Sequence, residues 1–316
     1  MKNKVLISAP PIIPNIHSYK ELFKENNIDY FIPPYEVVAS LNEEQLIKLL
    51  KDVDGILCGD DELNKNVLRA CNKLKVISKW GTGIDSIDKN EAKKLGIHVV
   101  RVKDAFADPV ADTVIGYILV FARNLIQKDK IVRNFQWQKA ASYTLKECSL
   151  GVIGIGHIGK AVLRRAKAFG MNLYGNDIID IDAGFIKEVG LNFVSKNELL
   201  SLSDFVSINC DLKKTSINLI SSSEFNLMKN NAVIINTARG DIIDEAALID
   251  ALQSRVIYGA ALDVFENEPL PHDSPLRSLD NVLFSPHNSN TSPEVFKKVD
   301  MLSVNNLINS LKEFSN

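Results

Sequence analysis

Hydrophobic positions in this chain come in short blocks, and most blocks are followed by a stretch with helical spacing. Val5–Ser8, Asp54–Cys58, Leu74–Ser78 and Ile97–Val100 are apolar runs bounded by polar or turn-forming residues, which reads as buried strand. Between them, Asn42–Lys51 and Leu63–Cys71 carry apolar residues three and four apart, the helical period. Repeated strand–helix units predict a parallel sheet covered on both faces. A long apolar helix is predicted over Pro109–Asn124, with Asp108-Pro109 as its start signal. From Leu150 the alternation restarts, with strands expected at Gly151–Gly154, Asn172–Asn176, Asn192–Val194, Phe205–Asn209, Ala232–Asn236, Gly259–Asp263 and Asn281–Ser285. Ser292–Phe314 reads as one amphipathic helix whose apolar face holds Val295, Val299, Leu302, Leu307 and Leu311.

One junction in this pattern carries chemistry. The apolar run from Leu150 ends in Gly154-Ile-Gly156-His157-Ile158-Gly159, a helical pattern follows at once, and Asp177 closes the next apolar run. This strand–turn–helix–strand context is the one in which Gly-x-Gly-x-x-Gly binds a dinucleotide. Gly154 permits a tight turn, Gly156 lets backbone approach a pyrophosphate, and Gly159 lets helix and strand pack closely. The helix N-terminus offers N–H groups and a partial positive charge to the phosphates. An acid at Asp177 accepts from adenosine ribose hydroxyls and repels a 2′-phosphate. Ile178 and Ile179 follow it, so NAD is expected over NADP. The fold class expected is α/β, with two Rossmann-like doubly wound parallel-sheet domains and an interdomain cleft.

Composition narrows the partners. A chain of 316 residues suggests two domains, and a formal charge of −2 without a basic block argues against nucleic acid or an anionic membrane. Cys58, Cys71, Cys148 and Cys210 are scattered, with no metal-ligand spacing, so no metal is expected and a reducing cytoplasm is. The apolar start is too short for a signal-peptide core, and Val110–Ala122 is too short to span a bilayer.

Three further segments put a reactive side chain just past a strand: Asn236-Thr237-Ala238-Arg239-Gly240, Asp263-Val-Phe-Glu-Asn-Glu268-Pro-Leu270 and Ser285-Pro-His287. Ligands of open parallel sheets bind outside the carboxyl ends of strands. Taken singly, Arg239 reads as a salt-bridge partner, Glu268 as a solvated loop acid and His287 as a turn histidine. Together with Gly81-Thr-Gly-Ile-Asp-Ser-Ile-Asp88, the glycine turn and Gly170-Met171 before Asp177, they occur in one order across nearly the whole chain. In that order the chain resembles the D-isomer-specific 2-hydroxyacid dehydrogenases, the family of phosphoglycerate, glycerate and D-lactate dehydrogenases.

The resemblance implies an NAD-dependent enzyme acting on a small 2-keto or 2-hydroxy acid. It implies a catalytic set of Arg239, Glu268 and His287. It adds Thr237, Ala238, Asp263 and Cys210 to the cofactor contacts, and substrate contacts at Trp80, Gly81, Thr82 and Gly83 besides Arg239. It also implies a discontinuous substrate domain, 1–100 plus 288–316, an NAD domain at 101–287, and a homodimer built on Pro109–Asn124 and the arm around Phe135 and Trp137. The chemistry suits these residues. Carbonyl reduction needs a proton on oxygen, which an imidazolium can give near neutral pH. A carboxylate steadies that ring, and a guanidinium fork matches a substrate carboxylate.

Departures leave alternatives open. The acidic Cys58-Gly-Asp-Asp-Glu62 stretch is expected to repel a phosphate, which counts against 3-phosphoglycerate. Asn209 and Asp211 stand where the family often has histidine and proline. Lys79 and Trp80 either touch the substrate or merely cap a strand. An NAD(H)-responsive regulator resembling the co-repressors of the same fold is the alternative to an enzyme.

Overall fold

Nearly every apolar block becomes a parallel strand in the computed structural model, which describes residues 2–314. Its contacts divide the chain into two compact units, one formed by residues up to Ala105 with those from Ser292 onward, the other by Phe106–Thr291.

The first unit holds β1 (Asn3–Ile7), β2 (Ile28–Phe31), β3 (Gly55–Cys58), β4 (Val76–Lys79) and β5 (His98–Arg101). They form a parallel five-stranded sheet in the order β2-β1-β3-β4-β5. β3 and β4 are buried along their whole length, as strands covered on both faces must be. The helix Pro293–Glu313 returns to pack on β3, β4 and β5. Its Leu307 lies against Gly55, and Ser78 Oγ donates to the Ser303 carbonyl at 2.8 Å.

The second unit holds β6 (Ser149–Ile153), β7 (Asn172–Asn176), β8 (Asn192–Phe193), β9 (Phe205–Ile208), β10 (Val233–Asn236), β11 (Gly259–Leu262) and β12 (Val282–Phe284). They form a parallel seven-stranded sheet in the order β12-β11-β10-β9-β6-β7-β8. Strand order reverses at β6, which pairs with β7 on one side and β9 on the other. Such a reversal opens a crevice at the carboxyl ends of these strands. The helices Ala107–Ala122 and His157–Ala168 cover one face, with Val114, Ile118, Val162 and Ala166 fully buried.

Local pattern misses two features. β2 is a four-residue edge strand in which only Ile28 is buried, so its periodicity is too weak to read. The long apolar helix runs Ala107–Ala122; Asn124 then turns left-handed (φ 50°) and a second helix, Leu125–Arg133, leaves at 55°. Among the described residues no single helix is long and apolar enough to cross a membrane. The bent pair is so only by combined length and composition, and Val110, Val114, Ile115 and Ile118 of its first helix lie in the core.

Candidate active site

The glycine turn is built by close contacts. Gly154 has φ +90°, and a Cβ there would stand 2.5 Å from the Cys210 amide nitrogen at the end of β9. At Gly159 a Cβ would meet the Gly154 carbonyl oxygen at 2.1 Å, so only glycine lets the His157–Ala168 helix start this close to β6. Gly156, the helix N-cap, has nothing within 4 Å of its Cβ position. Its side is open to an incoming group. His157 is exposed at the first helical turn, and Ile158 packs on the core with its side chain half-buried. Asp177 lies at the end of β7 beside this turn: its Oδ2 accepts from the Ile155 amide at 2.6 Å and its Oδ1 from the Ile179 amide at 3.2 Å. Ile178 is 84% and Ile179 63% exposed, and no cation in this stretch stands ready for a 2′-phosphate.

Two buried polar atoms at neighbouring strand ends find no hydrogen-bond partner within the protein, Asn209 Oδ1 after β9 and Thr237 Oγ1 after β10. Buried polar atoms are rarely left so, and a bound hydroxyl- or amide-bearing ligand would satisfy them. The open Gly156 face, these two atoms and Asp177 fit a dinucleotide laid across the carboxyl ends of β6, β7, β9 and β10. Cys210 is half-buried beside Gly154, and burial pushes its thiol up to about 11.

The reactive groups lie at the ends of β10, β11 and β12. His287 Nδ1 and Glu268 Oε2 are 2.7 Å apart. A carboxylate can only accept, so Nδ1 donates; the proton on Nδ1 leaves proton exchange with a substrate to Nε2. The other Glu268 oxygen accepts from the Phe265 amide at 3.0 Å, which fixes the carboxylate as well as the ring. Both side chains are about one-third exposed, 30% and 32%, so they are reachable from solvent.

Asp263 explains how the histidine is held. His287 has φ +52°, the left-handed region, unfavourable for a side chain of this size. The His287 amide donates to the Asp263 carbonyl at 2.8 Å, and the next two amides, Asn288 and Ser289, donate to its two carboxylate oxygens at 2.7 and 2.9 Å. The fully buried Asp263 thus binds the turn that carries the histidine.

Arg239 follows β10 on a turn pinned by Asn236, whose amide donates to the Arg239 carbonyl at 2.8 Å and whose Oδ1 accepts from Ala238 at 3.1 Å. Asn236 opens the segment already singled out by sequence, but its side-chain bonds to residues 239 and 238 are seen only in the turn it closes. Gly240 brings the arginine's turn against the Glu268 loop: a Cβ there would lie 2.0 Å from the Phe265 carbonyl carbon. The second unit therefore places Arg239, Glu268 and His287 on adjoining turns.

In the first unit, Trp80-Gly81-Thr82-Gly83 leaves the end of β4. The Trp80 amide donates to Cys58, Gly81 (φ +119°) accepts from Val102, and Thr82 accepts from Arg101. The acidic stretch before it is held by specific partners. Asp60 pairs with the buried Lys79 ammonium at 2.6 Å. Asp61 is fully buried and accepts from Ser8 Oγ at 2.6 Å, Leu41 N at 2.8 Å and Gly59 N at 3.2 Å. Lys79 is a counter-charge for Asp60, whereas the donors to Asp61 are neutral and Glu62 is exposed. Among the described residues no group of three or more His, Cys, Asp or Glu is placed to hold a metal ion.

A glycine turn at the switch point of a parallel sheet, with a carboxylate-held histidine at a nearby strand end, defines a dinucleotide-dependent oxidoreductase. Residues 115–289 match the family model of the D-isomer specific 2-hydroxyacid dehydrogenase NAD binding domain, and the chain belongs to that family, with NAD as its cofactor. A glyoxylate reductase of Korarchaeum cryptofilum is 35% identical over 277 residues, 85% of this chain and 83% of that protein. A D-3-phosphoglycerate dehydrogenase of Methanocaldococcus jannaschii is 39% identical over 266 residues, 83% of this chain but 50% of that longer protein. Among solved structures, the D-lactate dehydrogenase of Aquifex aeolicus complexed with NAD and lactic acid superposes with a TM-score of 0.86 at 27% identity, covering 98% of this chain and 95% of that one. The co-repressor-like alternative finds no support among these relatives.

Proposed function

We propose that the protein interconverts a small 2-keto acid and its D-2-hydroxy acid, with His287 as proton donor and acceptor. The observation that carries this reading is the 2.7 Å bond between His287 and Glu268, on a turn clamped by Asp263 in the same unit as the glycine turn. When bound, NAD supplies the hydride acceptor or donor. In reduction, Nε2 of the imidazolium gives its proton to the carbonyl oxygen; Glu268 favours that charged form by accepting from Nδ1. In oxidation the neutral ring takes the hydroxyl proton. Arg239 offers a planar fork to the substrate carboxylate and polarises the carbonyl. The amides of Gly81, Thr82 and Gly83 serve an acidic substrate too, through N–H donors that a glycine-rich turn can bring close.

The relatives named glyoxylate reductase make glyoxylate the first substrate to try, and the relative named D-3-phosphoglycerate dehydrogenase puts a phosphorylated acid on the panel against the acidic Asp60–Glu62 stretch. Asp177 with Ile178 and Ile179 favours NAD over NADP. A homodimer is supported by Phe135 and Trp137, 100% and 92% exposed on the arm after Arg133. A reducing, cytoplasmic setting is supported by four free thiols, with Cys58 pushed by burial up to about 12.

The test is turnover of NADH and, separately, NADPH with glyoxylate, hydroxypyruvate, phosphohydroxypyruvate, pyruvate and a branched-chain 2-keto acid. Turnover of at least one with NADH preferred is expected. NADH binding without turnover of any would defeat the enzymatic assignment, and a preference for NADPH would defeat the role of Asp177.

A further inference from the structure

The most unusual polar contact in the first unit lies beneath the Trp80 turn. The Trp80 ring, 6% exposed, donates through Nε1 to Asp300 Oδ1 at 2.7 Å. Asp300 is 2% exposed and sits in the middle of the returning helix Pro293–Glu313. One turn earlier on that helix, Phe296 meets the indole edge to face, with ring centroids 4.9 Å apart at 88°. Asn15, on the turn Ile13–Tyr19, is a second polar neighbour of the same carboxylate. A buried carboxylate is costly to keep unless its oxygens are satisfied, and a buried indole N–H needs an acceptor in turn, so each group meets the other's need. Burial holds the Asp300 carboxyl above its ordinary range, while the indole and Asn15 pull against that shift.

The indole contact has one geometric consequence. Trp80 is the first residue past β4, and its amide is already tied to Cys58. Fixing the ring as well anchors the residue from which Gly81, Thr82 and Gly83 depart. We propose that Asp300 is a positioning residue for substrate: by holding the Trp80 ring it sets the direction in which the Gly81–Gly83 amides meet the carboxylate of the 2-keto acid. This rests on the reading that those amides take the substrate. Asp300 touches neither substrate nor cofactor.

The experiment compares Asp300→Ala, Asp300→Asn and Gly81→Ala in the full-length protein by steady-state kinetics with NADH and the best 2-keto acid of the panel. Trp80 emission is followed in a Trp137→Phe background, where Trp80 is the sole tryptophan. Asp300→Ala is expected to raise KM for the 2-keto acid about tenfold, to leave KM for NADH near the parent value, and to shift Trp80 emission. Asp300→Asn keeps the acceptor oxygen and is expected to stay near the parent in all three. Gly81→Ala, which forces a side chain into φ +119°, is expected to raise KM for the keto acid at least as much. A normal keto-acid KM in Asp300→Ala, while Gly81→Ala is impaired, overturns the positioning role alone. Normal values in both overturn the reading of the segment as a substrate site. A parallel loss in kcat and in both KM values would mark Asp300 as structural only, as would failure of Asp300→Asn to rescue.

Discussion

Two glycine-bearing turns leave the carboxyl ends of strands in this protein, and they are held in opposite ways. The turn after β6 is fixed by its own neighbourhood: Gly159 packs on the Gly154 carbonyl five positions earlier, and Gly154 on the end of the adjoining β9. The turn after β4 is fixed from far along the chain, by Asp300 at a separation of 220 residues and by Val102. A dinucleotide phosphate asks the same thing of every such turn, namely backbone N–H groups and no side chain. That demand can be written into six consecutive residues. An organic acid differs from enzyme to enzyme, and the groups that aim a turn at it are free to come from any element packed beside it.

The largest effect should arise at the reactive end of the second unit. His287→Ala is expected to lower kcat by about 100- to 10,000-fold while NADH binding, followed by fluorescence titration, stays near the parent value. A variant with normal kcat would remove His287 as the proton carrier and leave the β6 turn as a binding site without chemistry beside it.

The next separates packing from ligand contact within that turn. Gly159→Ala drives a Cβ into the Gly154 backbone and is expected to cost about 1–3 kcal/mol in urea unfolding. Gly156→Ala meets nothing within 4 Å, so its melting temperature should hold while its Kd for NADH rises about tenfold. Unchanged NADH affinity in Gly156→Ala would show that the phosphates lie elsewhere.

The smallest effect is acid sensitivity, where the two units carry opposed carboxylates. Burial would raise the Glu224 carboxyl, but Lys196, Ser223 and the Ser221 amide outweigh it and hold the group at about 2. Its contribution is present above its ordinary value of 4.5 and is lost as pH falls toward about 2. Asp300 is raised, so its contribution is present below its ordinary 3.8 and is lost as pH rises through the folded value. Glu224→Gln should therefore remove about 1–2 kcal/mol of stability at neutral pH after allowance for solvent screening, with no difference from the parent near pH 2. Urea melts across that range check the sign; an equal loss at both ends would detach the effect from titration.

Much of the second unit was legible because its rules are local. Apolar blocks ending in turn residues mark β6, β9, β10 and β11, each buried on both faces and so apolar throughout. Gly154 and Gly159 announce themselves because a side chain would clash at either, and Gly156 because it completes their spacing. Edge strand β2 escapes the same reading, since one buried residue in four leaves no period. The partners of Asp60 and Asp61 were illegible for a different reason. A sequence shows that a carboxylate exists, and only the fold shows that Lys79 pairs with one and Ser8 donates to the other.

The residues by themselves determined the alternation of strand and helix, the dinucleotide turn, the acid at Asp177 and the family to which the chain belongs. The first three follow from steric and periodic demands that act over a few positions; the family follows from the resemblance of motifs ordered along nearly the whole chain. The tertiary structure alone decided that Asp263 clamps the turn of His287, that Asn209 and Thr237 hold unmet polar atoms toward the strand ends, and that Asp300 reaches Trp80. Hydrogen-bond partners are chosen by proximity in space, and proximity between residues far apart in the chain exists only once the sheets have formed.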